Sequence, residues 1–144
     1  MVKGEDGSYP HENGAFPAGV SAYEKRGIAI NVPEWQPDNC IQCNQCALAC
    51  PHAVIRPFLV NEEEKKNAPE GFETVSANGK QLEGFEYRIQ VSPLDCTGCG
   101  VCAEVCPAPE KALVMTEFDK MVEKEKDNWE YAVEEVGYKE DLMD

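Results

Sequence analysis

The chain has 144 residues, eight of them cysteine, and a formal charge of −14 from 27 acidic and 13 basic side chains. That length gives one domain with extensions. A chain this anionic, without a basic patch, is excluded from nucleic-acid binding, and no apolar run approaches the roughly 18 residues of a membrane span. Residues 1–27 carry Gly4, Gly7, Pro10, Gly14, Pro17, Gly19 and Gly27, which predicts an extended arm or linker. Met1 to Pro10 has charges and glycines but no apolar core, so no secretory leader is expected. Eight cysteines without such a leader point to metal in a reducing compartment, hence a cytoplasmic location. Ile28, Ile30 and Val32 alternate and predict a strand over 28–32, ended by Pro33.

From Cys40 to Pro51 the cysteines stand at 40, 43, 46 and 50, and a proline follows the last. The run recurs as Cys96, Cys99, Cys102, Cys106 and Pro107, at an offset of 56 that Pro37 and Pro93 share. Three thiolates at i, i+3 and i+6 wrap a short loop around one side of a cubane iron–sulfur cluster; the fourth iron corner needs a ligand from elsewhere. C-x-x-C-x-x-C-x-x-x-C-P is the bacterial ferredoxin run, and in two-cluster chains its last cysteine ligates the other cluster. The expected ligand sets are therefore Cys40, Cys43, Cys46 and Cys106 for cluster one, and Cys96, Cys99, Cys102 and Cys50 for cluster two, each cluster being 4Fe-4S. This crossing holds the clusters at a short fixed separation, which suits electron hopping. Pro51 and Pro107 turn the chain away from helix at each crossing ligand. Trp35 is expected to pack over the first cluster. Gly98 and Gly100 let backbone N–H groups approach sulfur and tolerate positive φ. Gln42 and Asn44 hold those places in the first run, so the two clusters are expected to differ in potential. Zinc would use two separated C-x-x-C pairs and leave the third cysteine and the Cys-Pro without a task. A disulfide framework belongs to small secreted domains. The match of residues 98–103 to G-x-G-x-x-A is accidental, because its cysteines are ligands and no βαβ unit follows.

Residues 43–50 predict a short helix, and Ala53 to Ile55 opens a strand. Residues 56–95 form an insertion between the runs. Within it Asn61 to Asn67 reads as a charged surface turn. Phe72–Ala77 and Leu82–Val91 flank Asn78-Gly79, a hairpin signal. Phe85, Tyr87, Ile89 and Val91 alternate with Glu86, Arg88 and Gln90, so one face is expected to pack on the cluster domain. His52 reads as a surface or hydrogen-bonding residue rather than a ligand. Ala112–Met115 matches Ala53–Ile55 with three extra residues, predicting two antiparallel ribbons, one beside each cluster. Thr116 and Asp119 suggest a capping box. Phe118, Met121, Val122, Trp129, Ala132, Val133 and Val136 have helical spacing, with a break near Asn128 and a stop at Gly137. From Glu110 onward there are 12 acidic and 5 basic residues, a tail that docks on the domain or on a larger neighbour. The organisation is an arm 1–27, a ferredoxin-like domain 28–115 and an acidic helical tail 116–144. The fold class is α+β, with a pseudo-twofold repeat and a hairpin insertion. So small an apolar core is marginal alone, and the apoprotein is expected to be largely unfolded in its core.

Val32-Pro-Glu-Trp35, Asn39 to Cys46, Cys50-Pro-His-Ala53, Ile55-Arg-Pro-Phe58, Ala68 to Phe72, Val91 to Cys102 and Lys111 to Met115 closely resemble the ferredoxin-like domain of pyruvate:ferredoxin (flavodoxin) oxidoreductases. Tyr23 to Ile28 is similar to the segment leading into it. The likeness covers about residues 15–136 and includes the insertion, which small free ferredoxins lack. It implies an electron relay. Members form acetyl-CoA from pyruvate on thiamine diphosphate and pass electrons through a proximal cluster, then through the two clusters of this domain, to soluble ferredoxin or flavodoxin. The implied partners are those carriers and the remainder of such an enzyme. This chain has no thiamine or CoA region and no cysteines for a proximal cluster. It is therefore not expected to turn over pyruvate alone, and it carries no acid, base or nucleophile assignment. It reads as an excised domain or a separate subunit. The rival readings are a diffusible ferredoxin-type carrier and a structural metal module.

Overall fold

Strand β1 (Asn31–Trp35) pairs antiparallel with β5 (Leu113–Glu117), setting Trp35 opposite Leu113 and Pro33 opposite Met115. The structure, a computed structural model, describes residues 27–136 and Lys139. The arm up to residue 26 and the expected stop at Gly137 lie outside the described residues. The strand expected over 28–32 begins three residues later and runs through Pro33. Both strands of this ribbon are edges, where a proline nitrogen is not asked to donate. Val32 is fully buried, while Ile28 and Ile30 are exposed.

After a 3₁₀ turn (Pro37–Asn39) come helix α1 (Gln45–Ala49) and strand β2 (Ile55–Val60). The segment expected to be a surface turn is instead helix α2 (Glu62–Asn67). Its capping box explains why: Glu64 N–H donates to Asn61 Oδ1 at 2.8 Å, and Asn61 N–H donates to Glu64 Oε2 at 2.9 Å. Glu62 to Glu64 sit at its N-terminal end and Lys65 and Lys66 at its C-terminal end, the arrangement its dipole favours.

The insertion contributes β3 (Val75–Ser76) and β4 (Glu86–Val91). They do pair antiparallel, but only Val75 with Tyr87 and Ser76 with Glu86. Asn78-Gly79 is not a two-residue reversal, since residues 77–85 span the connection. The main partner of β4 is β2, paired from Ile55 opposite Val91 to Val60 opposite Glu86. The sheet order is therefore β2-β4-β3.

Helix α3 (Val101–Glu104) packs against α1, and α4 (Phe118–Glu134) lies across β4, β1 and β5. Two sequence expectations for α4 do not hold. Its N-cap, Glu117, makes no side-chain cap, and the Thr116 hydroxyl donates to Glu34 Oε2 instead. The helix also runs unbroken through Asn128, because Asn128 points inward and donates to the Lys124 carbonyl at 3.1 Å. Met121, Glu125, Asn128 and Ala132 form its buried stripe. The tail thus docks on the domain, and it covers the second face of β4. Residues 87–91 are buried on both faces, where alternation predicted one.

The main core gathers Val32, Trp35, Ile55, Tyr87, Ile89, Val91, Leu113 and Met121 with Cys96 and Cys102. A smaller cluster of Val60, Phe72, Ala132 and Val136 fastens the far end of α4 to the insertion.

Candidate metal centres

The two cysteine runs share a backbone as well as a spacing. Asn44 (φ 59°) and Gly100 (φ 76°) both adopt the left-handed conformation and both start a short helix. Asn44 O accepts from the N–H groups of Ala47 and Leu48, and Gly100 O from those of Ala103 and Glu104, all at 3.1 Å. One turn earlier, Gln42 (φ 59°) and Gly98 (φ 73°) are again left-handed. Such a conformation costs an L-residue about 1–2 kcal/mol. In the first run, side-chain hydrogen bonds to the insertion offset it. Gln42 Nε2 donates to Ser76 O at 2.7 Å, and Gln42 Oε1 accepts from Asn78 N–H at 2.8 Å. Asn44 Oδ1 accepts from the Tyr87 hydroxyl at 2.5 Å. In the second run glycine meets the same requirement, and at Gly98 there is a second reason. A Cβ there would lie 2.8 Å from the Asn31 carbonyl oxygen. Gly98 N–H donates to Cys96 Sγ at 3.3 Å, the kind of sulfur contact expected of this glycine.

The cysteines stand around two small cavities. Cys40, Cys43, Cys46 and Cys106 line one, with Trp35, Ile41, Asn44, Tyr87, Ile89 and Leu113 among its other walls. Cys50, Cys96, Cys99 and Cys102 line the other, closed by Pro33, Val54 and Ile55. Each cavity thus collects three cysteines of one run and the last cysteine of the other. Four thiols around each cavity suit the four iron corners of a cubane. His52 is exposed at the rim of the second cavity, where four cysteines are already present. Cys43 and Cys99 are exposed, Cys40, Cys46 and Cys50 half-buried, and Cys96, Cys102 and Cys106 buried. Lys111 Nζ donates to the carbonyls of Glu104 and Cys106, pinning the end of α3 where the chain reaches Cys106.

Burial pushes the Cys46 and Cys102 thiols up to about 11, and neighbouring cysteines push the same way against a backbone N–H. For Cys46 those neighbours are Cys40, Cys43 and Cys106. Cys102 feels Cys96, Cys50 and, from the adjacent cavity, Cys46. Cys96 is raised too, with Gly98 N–H opposing. Iron entering these cavities must displace protons from such thiols. Burial, then Cys40, Cys46 and Cys43, hold the Tyr87 hydroxyl above its ordinary value, so it remains a neutral donor to Asn44.

One constellation near the first cavity was not read from the sequence. Arg88 is buried, its Nη2 donating to Glu125 Oε2 at 2.8 Å, its Nε to Gln90 Oε1 at 2.7 Å and its Nη1 to Glu73 O at 2.6 Å. Gln90 Nε2 also donates to Glu125 Oε2. The guanidinium lies 4.4 Å from the Phe72 ring centroid and 5.8 Å from that of Trp35. An Arg and a Gln two apart in a strand, with a Glu and an Asn three apart in a helix, are the residues that carry it. Nothing in either segment alone says that they meet.

Comparison with known proteins agrees with this geometry. The family described as "4Fe-4S dicluster domain" matches residues 39–110. The chain is 57% identical over 120 residues to a pyruvate:ferredoxin oxidoreductase of Moorella thermoacetica, an alignment covering 83% of this chain and 10% of that protein. It is 59% identical over 122 residues to a pyruvate-flavodoxin oxidoreductase of Enterobacter agglomerans, covering 85% of this chain and 10% of the relative. A mitochondrial pyruvate dehydrogenase [NADP(+)] of Euglena gracilis shares 48% identity over 120 residues, 83% of this chain and 6% of that one. The chain therefore spans about a tenth or less of the length of these relatives. The dicluster family and the eight cysteines give it two 4Fe-4S clusters as cofactors. The chain belongs to the 4Fe-4S dicluster domain family.

Proposed function

We propose that this chain is a one-electron relay, the ferredoxin-like segment of an oxidoreductase of the pyruvate:ferredoxin (flavodoxin) type. The observation that carries the reading is the pair of adjacent four-cysteine cavities, in a segment alike in sequence to such enzymes. Bound there, the 4Fe-4S clusters supply single-electron oxidation and reduction at low potential. Cys40, Cys43, Cys46 and Cys106 hold the first; Cys96, Cys99, Cys102 and Cys50 hold the second. Residues 47–50 and 103–106 cross between the sites and fix their separation, and a pseudo-twofold relates the two halves. Trp35, Tyr87, Ile89 and Leu113 keep water from the first site, and Pro33, Val54 and Ile55 from the second.

The cysteines at both cavities serve as ligands in this reading, and bond-making belongs to the rest of such an enzyme, with its thiamine diphosphate and its proximal cluster. The named relatives pair pyruvate with ferredoxin, flavodoxin or NADP(+). The variety of acceptors beside so similar a segment supports a relay that serves more than one exit; for this chain the acceptor is soluble ferredoxin or flavodoxin. No helix among the described residues is long and apolar enough to cross a membrane.

Anaerobic Cys106→Ala, compared with Cys40→Ala and Cys96→Ala, tests the ligand sets. Cys106→Ala is expected to remove roughly half the iron and acid-labile sulfide. It should abolish the same EPR signal that Cys40→Ala abolishes. Loss of the signal that Cys96→Ala removes would overturn the assignment.

A further inference from the structure

We propose that the Trp35 indole N–H donates a hydrogen bond to sulfur of the cluster held by Cys40, Cys43, Cys46 and Cys106, and that this bond raises the reduction potential of that cluster. The inference rests on the ligand reading above. Trp35 is 7% exposed and forms part of the wall of the first cavity. Its Nε1 is buried without a hydrogen-bond partner, one of two such side-chain atoms among the described residues. Buried donors are overwhelmingly paired, and an indole N–H can only donate.

On its other side Trp35 borders a polar pocket with Glu34, Gln36, Glu73 and Thr74, yet Nε1 finds no partner there, and the cysteine cavity is the side that offers sulfur. Ile41, Ile89, Ala112 and Leu113 give the cavity apolar walls. Asn44 Oδ1 already accepts from Tyr87. Arg88, 5.8 Å from the ring centroid, has no acceptor. The Tyr87 and Asn44 oxygens are joined to each other and neither partners Nε1; the other acceptors in that wall are Cys40, Cys43, Cys46 and Cys106, with the inorganic sulfide they would enclose. The ring is also held in place. Tyr87 meets it edge-on at 6.4 Å, and its backbone is fixed in β1 opposite Leu113. A donor aimed at cluster sulfur favours the more negative, reduced state. The repeat offset carries Trp35 onto Val91, and no indole lines the second cavity. The effect is confined to one cluster, so Trp35 contributes to the difference in potential between the two.

The test uses the full loaded chain. The chain has two tryptophans, so Trp129→Phe leaves a single indole to label with ¹⁵N. Pulsed EPR of the reduced protein is expected to show ¹⁵N coupling on one cluster signal only. In an EPR-monitored redox titration, Trp35→Phe should move one of the two waves to lower potential and leave the other in place. Full iron and sulfide with no ¹⁵N coupling, or a Trp35→Phe protein that loads fully with both waves unmoved, overturns the hydrogen bond and leaves the ligand sets standing. If Trp35→Phe fails to load, the ¹⁵N measurement decides alone. A failure of the ligand reading itself shows separately, as Cys106→Ala abolishing the wrong signal.

Discussion

Gly98→Ala and Gly100→Ala make the same chemical change in the same loop, at left-handed φ values of 73° and 76°. Their surroundings differ. At Gly100 an added Cβ meets no described residue within 4 Å, so the cost is the backbone conformation alone, about 1–2 kcal/mol. At Gly98 the Cβ would stand 2.8 Å from the Asn31 carbonyl oxygen and 3.2 Å from Ala29 Cβ. Asn31 O is main chain at the start of β1, so it cannot swing aside as a side chain would; the loop and the strand must separate. Overpacking of that kind adds about 1–3 kcal/mol, for a total of roughly 2–5 kcal/mol. Gly100→Asn should cost less than Gly100→Ala, since asparagine tolerates this conformation and Asn44 occupies the matching place in the first run. The assay is the urea midpoint for loss of cluster absorbance under anaerobic conditions, with iron content of the isolated proteins as a second readout. The order expected from most to least stable is wild type, Gly100→Asn, Gly100→Ala, Gly98→Ala. Equal losses at the two glycines would refute the claim that the second loop is pressed against β1.

Two further outcomes follow from the contacts of α4. Arg88→Met alone leaves the Glu125 carboxylate buried without its partner, a loss of about 3–5 kcal/mol. Arg88→Met with Glu125→Met should recover most of it, and a single variant that unfolds like a surface substitution would contradict a buried pair. Glu34 and Lys124 tie β1 to α4 at 2.8 Å. Their hydrogen bond lowers the Glu34 carboxyl below its ordinary range and raises the Lys124 ammonium above its own. A lowered acid contributes stability above its unfolded value and loses it as pH falls through the folded one; a raised base contributes below its unfolded value and loses it as pH rises. The bridge is therefore intact from about pH 5 to 10. Because the pair is largely solvent-accessible, its contribution is about 0.5 kcal/mol. Lys124→Met should lower the urea midpoint by a constant amount across pH 6–9, and the gap should close above pH 10.5, where wild-type Lys124 begins to lose its proton. A gap that varies inside the neutral range would exclude the bridge as its cause.

What the sequence made legible was whatever depends on local spacing. The repeat at an offset of 56 locates both loops, and Gly98 and Gly100 mark left-handed backbone there. The same offset also pointed to Gln42 and Asn44, yet nothing in their own run says that Ser76, Asn78 and Tyr87 hold them there. That support comes from the insertion, over more than thirty residues of intervening chain. The errors share one physical origin. Pro33 reads as a strand breaker because its edge position is a property of the sheet. Arg88 and Gln90 read as solvent-facing because alternation assumes that one face of a strand is wet. Asn128 reads as a break because a polar residue on a helix is ordinarily exposed or capping. Once α4 lies on β4, each of these polar groups is answered by another: Arg88 by Glu125, Gln90 by Arg88 and Glu125, and the Asn128 amide by Lys124 O. A short ferredoxin-type core is marginal without its clusters. Here the insertion and α4 enclose it from outside and place a paired charge behind Trp35. The cysteine runs are thus written locally, twice, while the residues that hold the first run rigid and shape its surroundings are written across the chain and become visible only when it is folded.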